Sequence, residues 1–166
     1  MEINVMALAA SALVPLVAGA IWYHPKVFGA AWMRASGVTE AQVQSGNMAV
    51  IFGLTYVLGF FASLTINFLV IHQAHVFSAL MSEPGFGEAG SATMVYLEDF
   101  MSQFGDNYRT FKHGALHGTL TGITFALPII GIVSLFERKG WAYIGIHAGY
   151  WTLTLALMGG IISAWQ

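Results

Sequence analysis

Residues 113–136 read HGALHGTLTGITFALPIIGIVSLF, a stretch without one Asp, Glu, Lys or Arg. A bilayer core about 30 Å thick needs roughly 20 mostly apolar residues to be crossed by a helix, so this stretch reads as a membrane span. Within it Gly114, Gly118 and Gly122 recur every four residues, with Ala126 continuing the line. That interval puts small residues on one helix face. Lipid tails are as apolar as leucine, so helices in a membrane associate by close approach of such faces and by polar contacts across them. Pro128 sits inside the span, where a membrane helix tolerates it as a kink because neighbouring groups satisfy the freed carbonyl.

Three further apolar stretches free of these charges, residues 3–23, 48–75 and 141–165, repeat the pattern. Across all 166 residues 57% are hydrophobic and 8% are charged, where a soluble domain carries about 25% charged residues. The mean hydropathy is +0.68. These values exclude an ordinary soluble enzyme and predict an all-α fold, a polytopic membrane bundle of four transmembrane helices forming one domain over residues 1–166, with the lipid bilayer as its partner. Six Lys and Arg against eight Asp and Glu offer no basic surface for phosphates, so no nucleic acid is expected as a partner. Without cysteine there is no disulfide, thiolate nucleophile or Cys-ligated metal, and any metal must use His, carboxylate or Met.

The first stretch is preceded only by the charge of Glu2, has no basic segment ahead of it and ends on Trp22-Tyr23 like an interfacial anchor. It is therefore expected to be retained as a span and not removed as a secretory signal. Lys26 and Arg34 in the first loop and Arg138 and Lys139 in the third set four cations on one side. Arg109 and Lys112 in the second loop lie among Glu83, Glu88, Glu98, Asp99 and Asp106. The bias places loops one and three in the cytoplasm and both termini outside. The outer loop, residues 77–112, contains a predicted interfacial helix over 91–104, with Ser91 as its cap and Met94, Leu97, Met101 and Phe104 on one face. In the first loop Thr39 and Gln42 have capping-box spacing for a short helix.

The fourth stretch carries Gly145, Gly149, Thr152, Ala156, Gly160 and Ser163 at three- and four-residue intervals, and the second carries Thr55, Gly59, Ser63 and Asn67. These stripes are expected to bury against one another. Four helices have limited capacity to bury all of them, so the surplus predicts a homo-oligomer, with Gly118 or Gly149 in its interface. The alternative is a passive channel or carrier lined by Thr55, Ser63 and Asn67, with Thr119, Thr121 and Thr124 contributing; a third reading is a structural scaffold. With no ionisable Asp, Glu, Lys or Arg inside a span, a charged transport pathway has no candidate.

Six histidines stand out in a chain with so few other ionisable groups. His72 and His75 end the second stretch at i,i+3, and His113 and His117 open the third at i,i+4, so each pair shares a helix face on the same membrane surface. Neutral imidazole ligates divalent transition metals, and Glu98 or Asp99 from the outer loop is a candidate to complete the shell. A haem between helices is the less favoured cofactor. His24 and His147 form an inner polar pair, in which His147 needs a partner such as His24, Tyr23 or Thr152. Gly114 follows His113 where a zinc-protease helix would place its Glu, and no nucleophile elbow or phosphate-cradling loop is present, so a non-enzymatic role is expected.

Trp22-Tyr23-His24-Pro25 with Phe28-Gly29 and Trp32-Met33, then Phe136-Glu137-Arg138-Lys139 with Gly149-Tyr150-Trp151 and Met158-Gly159, resemble a bacterial four-helix integral membrane family, domain of unknown function 1761. The resemblance covers nearly the whole chain and implies four membrane helices, with no activity or catalytic residue to carry over. Trp22, Tyr23, Trp32 and Trp141 are expected as interface anchors on the cytoplasmic side. The expectation is thus a small protein of the bacterial inner (cytoplasmic) membrane. A reporter active only in the cytoplasm, fused after Gln166, should stay silent; a strong signal would reverse the orientation and bring the acidic loop inside.

Overall fold

A computed structural model describes residues 3–165; Glu2 lies outside the described residues. Every regular element among them is helical. Four helical segments are long and apolar enough to cross a membrane: Val5–Trp22, Met48–Val70, Phe111–Phe136 and Trp141–Ala164. Large apolar side chains such as Leu58, Phe61, Ile132 and Leu135 face outward, as in a helix bundle solvated by lipid instead of water.

Two of the spans are interrupted, each next to a proline. The first is two helices, α1 (Val5–Ser11) and α2 (Val14–Trp22), with Pro15 in the opening turn of α2. Asn4 caps α1 by accepting from the Ala7 N–H. Pro15 has no N–H to return to Ser11, and the chain tightens there, Leu13 N–H reaching only three residues back to Ala10. The first loop holds a π-helical turn (Pro25–Gly29) and two short helices, α3 (Ala30–Ser36) and α4 (Glu40–Gln44). The Thr39–Gln42 capping box forms in both directions, at 2.8 and 3.3 Å.

The second span is α5 (Met48–Val70), followed after Ile71-His72 by the separate helix α6 (Gln73–Leu80). One continuous helix over 48–75 is therefore not what the chain forms. The second loop carries α7 (Ala92–Phe104), and the Ser91 hydroxyl accepts from the Met94 N–H. The third span begins as α8 (Phe111–Thr121), passes through a π-helical turn (Gly122–Ala126) and continues as α9 (Leu127–Phe136). Leu127 N–H reaches five residues back to Gly122, so the wider turn falls immediately before Pro128 and takes up the missing donor. The fourth span, α10 (Trp141–Ala164), is the most enclosed and touches all three others.

The antiparallel seam of α8 and α10 fixes the bundle. A Cβ on Gly114 would run into the Gly159 carbonyl, one on Gly118 into the Leu155 carbonyl, and one on Gly122 into Thr152. Each four-residue step up the third span is thus met by a step of three or four down the fourth. The contact is backbone against backbone, which only glycine permits. The expectation that Gly118 lies between protomers is corrected: its face is filled within one chain. Gly149 meets the Trp22 ring, whereas Gly145 faces open space. On the other side, a Cβ on Gly59 of α5 would lie 2.8 Å from the Ala12 carbonyl, so α5 packs into the break of the first span. Ser63 also donates to the Leu8 and Phe60 carbonyls. Between these seams Leu8, Ile66, Val70, Met158 and Ile162 form a fully buried core.

The loops are tied in pairs. Lys139 Nζ donates to the Ser36 carbonyl at 2.9 Å, joining loops one and three at one end. Arg109 donates to the Ser163 and Trp165 carbonyls, joining the second loop to the end of α10 at the other. Overpacking a close contact costs about 1–3 kcal/mol. Gly118→Ala should therefore lower the thermal unfolding midpoint in mild detergent by several degrees, while Gly145→Ala leaves it within a degree or two; equal midpoints would contradict the seam.

Candidate metal centre

At the end of the bundle occupied by the second loop, residues 77–112, three imidazoles meet. Ile71 leaves helical geometry (φ −100°, ψ 89°), which ends α5 and turns the chain so that His72 heads α6. The bend is held by Gln73, buried at 4% exposure, whose amide donates to the Phe104 carbonyl at 3.0 Å and the Asn107 carbonyl at 2.9 Å. On the facing span the Thr110 hydroxyl caps α8 by accepting from the His113 N–H. His113 and His117 then project one turn apart, with ring centroids 4.6 Å apart.

His72 lies over both, with centroid distances of 5.0 Å to His113 and 4.9 Å to His117. Its Nε2 is 2.8 Å from Nε2 of His113, so one ring donates and the other accepts. One nitrogen from each of the three residues lies within 4.8 Å of the others, all three partly buried. Burial pushes His72 below its ordinary value of 6.5, with His113 and His75 adding to the effect, so the ring is held in the neutral form that ligates. Tyr108, in the left-handed region at φ 64°, tilts its ring over His113 at 4.8 Å.

Of the six residues proposed from sequence, the structure converges three. His75 is exposed on the next turn of α6, its ring 6.5 Å from that of His72, and is not one of the three converging donors. Glu98 and Asp99 are exposed on α7, and both Asp99 oxygens accept from Gln103 at 3.0 Å. The reason is the bend at Ile71-His72: it sends α6 away from the direction of α5, so the i,i+3 relation of His72 and His75 no longer points both at α8. Gln73, which fixes that bend, went unread in the sequence as a positioning residue; its only signal was a polar amide beside a predicted helix end.

At the opposite end His147 Nδ1 pairs with the Tyr23 hydroxyl at 2.9 Å, while His24 is exposed and its Nδ1 accepts from the Lys26 N–H. His24 and His147 thus have separate partners. Burial raises Tyr23 well above its ordinary value, with Tyr150 and Tyr143 adding, which keeps the phenol neutral. Trp22 donates to the Ile146 carbonyl and Trp32 packs edge-on against Tyr23, so these rings hold the bundle together, whereas Trp141 is 81% exposed.

Four apolar spans packed through a glycine seam, with polar side chains gathered at the two ends, define a polytopic membrane helix bundle. The chain belongs to the family described as Protein of unknown function (DUF1761), whose model matches residues 6–163. No curated protein and no solved structure matches the chain.

Leaving buried carbonyls without their donor costs about 1–3 kcal/mol. Gln73→Leu should lower the unfolding midpoint by several degrees, and Gln103→Leu, which removes an exposed contact, should not. No difference between the two would remove Gln73 from its positioning role.

Proposed function

We propose that this chain is a non-enzymatic helix bundle of the bacterial inner membrane that binds one divalent transition metal ion at its outer surface through His72, His113 and His117. The observation that carries this reading is the convergence within 4.8 Å of three imidazole nitrogens, two from α8 and one from the bend after α5. Imidazole suits zinc, copper, iron and nickel, and three histidines are a recurrent protein ligand set for zinc.

The channel alternative draws less support, because the candidate lining hydroxyls are turned onto their own helices. Thr55 donates to the Ile51 carbonyl and Ser63 to that of Phe60, and on the third span Thr119 donates to the Ala115 carbonyl, Thr121 to that of His117 and Thr124 to that of Leu120. A homo-oligomer remains part of the proposal, and its copies would meet through faces other than the filled Gly114–Gly118–Gly122 seam.

Tag-free protein reconstituted with each metal and measured by elemental mass spectrometry should hold about one ion per chain. His72→Ala and His117→Ala should abolish it and His24→Ala should not. Since a protonated ring cannot ligate, affinity should fall as pH drops below about 6.5. A stoichiometry near zero with zinc, copper, iron and nickel would overturn the reading.

A further inference from the structure

Three imidazoles leave a metal ion with an incomplete shell and an uncompensated charge of +2. Zinc and its neighbours take at least a fourth ligand, and where the protein supplies three the fourth position is open to an exogenous one. The surroundings of the cluster indicate what that ligand is. The carboxylates of Glu98 and Asp99 are exposed on α7 and do not converge on the three rings. Directly beside His72 lies a cavity of about 320 Å³ between α6, α7 and the segment that follows α7. Its walls are Val76, Phe100 and Phe104, with Asn107 and Tyr108 at the polar side, and no charged side chain lines it. The amide of Gln73, which also borders it, has its N–H groups spent on the Phe104 and Asn107 carbonyls.

We propose that the ion held by His72, His113 and His117 keeps one coordination position free and binds there a small monocarboxylate whose apolar body occupies the cavity walled by Val76, Phe100 and Phe104. This rests on the metal reading above. The dipositive ion with three neutral ligands attracts an anion. A single charge is favoured, because the cavity has no cation of its own to match a second one, and its aliphatic and aromatic walls reward an apolar body by removing it from water. A dianion such as phosphate would leave charge unpaired against Phe100 and Phe104.

Cobalt(II) reports this directly, since its visible absorption changes when a ligand enters its shell. Detergent-solubilised full-length protein loaded with cobalt(II), in a buffer free of carboxylates, is titrated with acetate and with benzoate. Both should shift the spectrum, benzoate at about a tenfold lower concentration, reflecting burial of its ring. Phe100→Ala should keep the metal and bring the two ligands to within about twofold of each other. If wild-type protein takes up no cobalt, this proposal falls together with the metal reading. If cobalt binds but neither carboxylate changes the spectrum, the metal reading stands and the open position is refuted. Equal affinities for acetate and benzoate in the wild type, or a preference that survives in Phe100→Ala, would refute the role of the cavity.

Discussion

The backbone contact between the third and fourth spans is the constraint on which the rest of the molecule depends. In a solvent as apolar as the side chains themselves, burial of hydrocarbon gives little reason for one helix to choose another, and van der Waals approach must decide. Gly114, Gly118 and Gly122 let the third span lie directly on the carbonyls and Cα atoms of α10 at Gly159, Leu155 and Thr152. With that pair locked, α10 becomes the post against which the first two spans pack, and Tyr150 reaches across to the Pro15 carbonyl at 2.8 Å in the buried interior. Gly59 repeats the device on a smaller scale, seating α5 in the break ahead of Pro15.

The histidine cluster follows from this frame and from one departure from it. The seam fixes the register of α8, and so the height of His113 and His117. The ties from Arg109 and Tyr108 to the end of α10 hold the chain that leads into α8. His72 arrives from the other side only because α5 stops at Val70 and Gln73 fastens the new helix to the end of α7. Two spans, one bend and one buried amide thus bring three rings together at one end of the bundle.

Much of this was legible in the residues. The capping box at Thr39 and Gln42, the cap at Ser91 and the small-residue face of the third span are local signals, each carried by residue types three or four positions apart. The fourth span was legible only in part: Thr152, Ala156 and Ser163 of its stripe do meet Gly122, Gly118 and Gly114, but Gly145 faces open space, Gly149 faces Trp22, and Gly159, which also meets Gly114, was not in the stripe read from sequence. A helix that is contacted on several sides has several plausible stripes. Which one is the seam depends on its neighbours. In the same way the residues offered His147 three partners, His24, Tyr23 and Thr152, and packing chose Tyr23.

By itself the sequence determined that four apolar segments form, that they are helical, and that histidines collect at both ends. Partition into lipid and backbone hydrogen bonding are settled by composition within each segment, with no reference to distant parts of the chain. Only the tertiary structure decided which histidines share a site. That choice turns on the direction taken at Ile71-His72, where no proline or glycine marks a break, and where the bend is stabilised by carbonyls some thirty residues away. Contacts of that range carry no local signature, so His72 was separated from His75 and joined to His113 and His117 by packing alone.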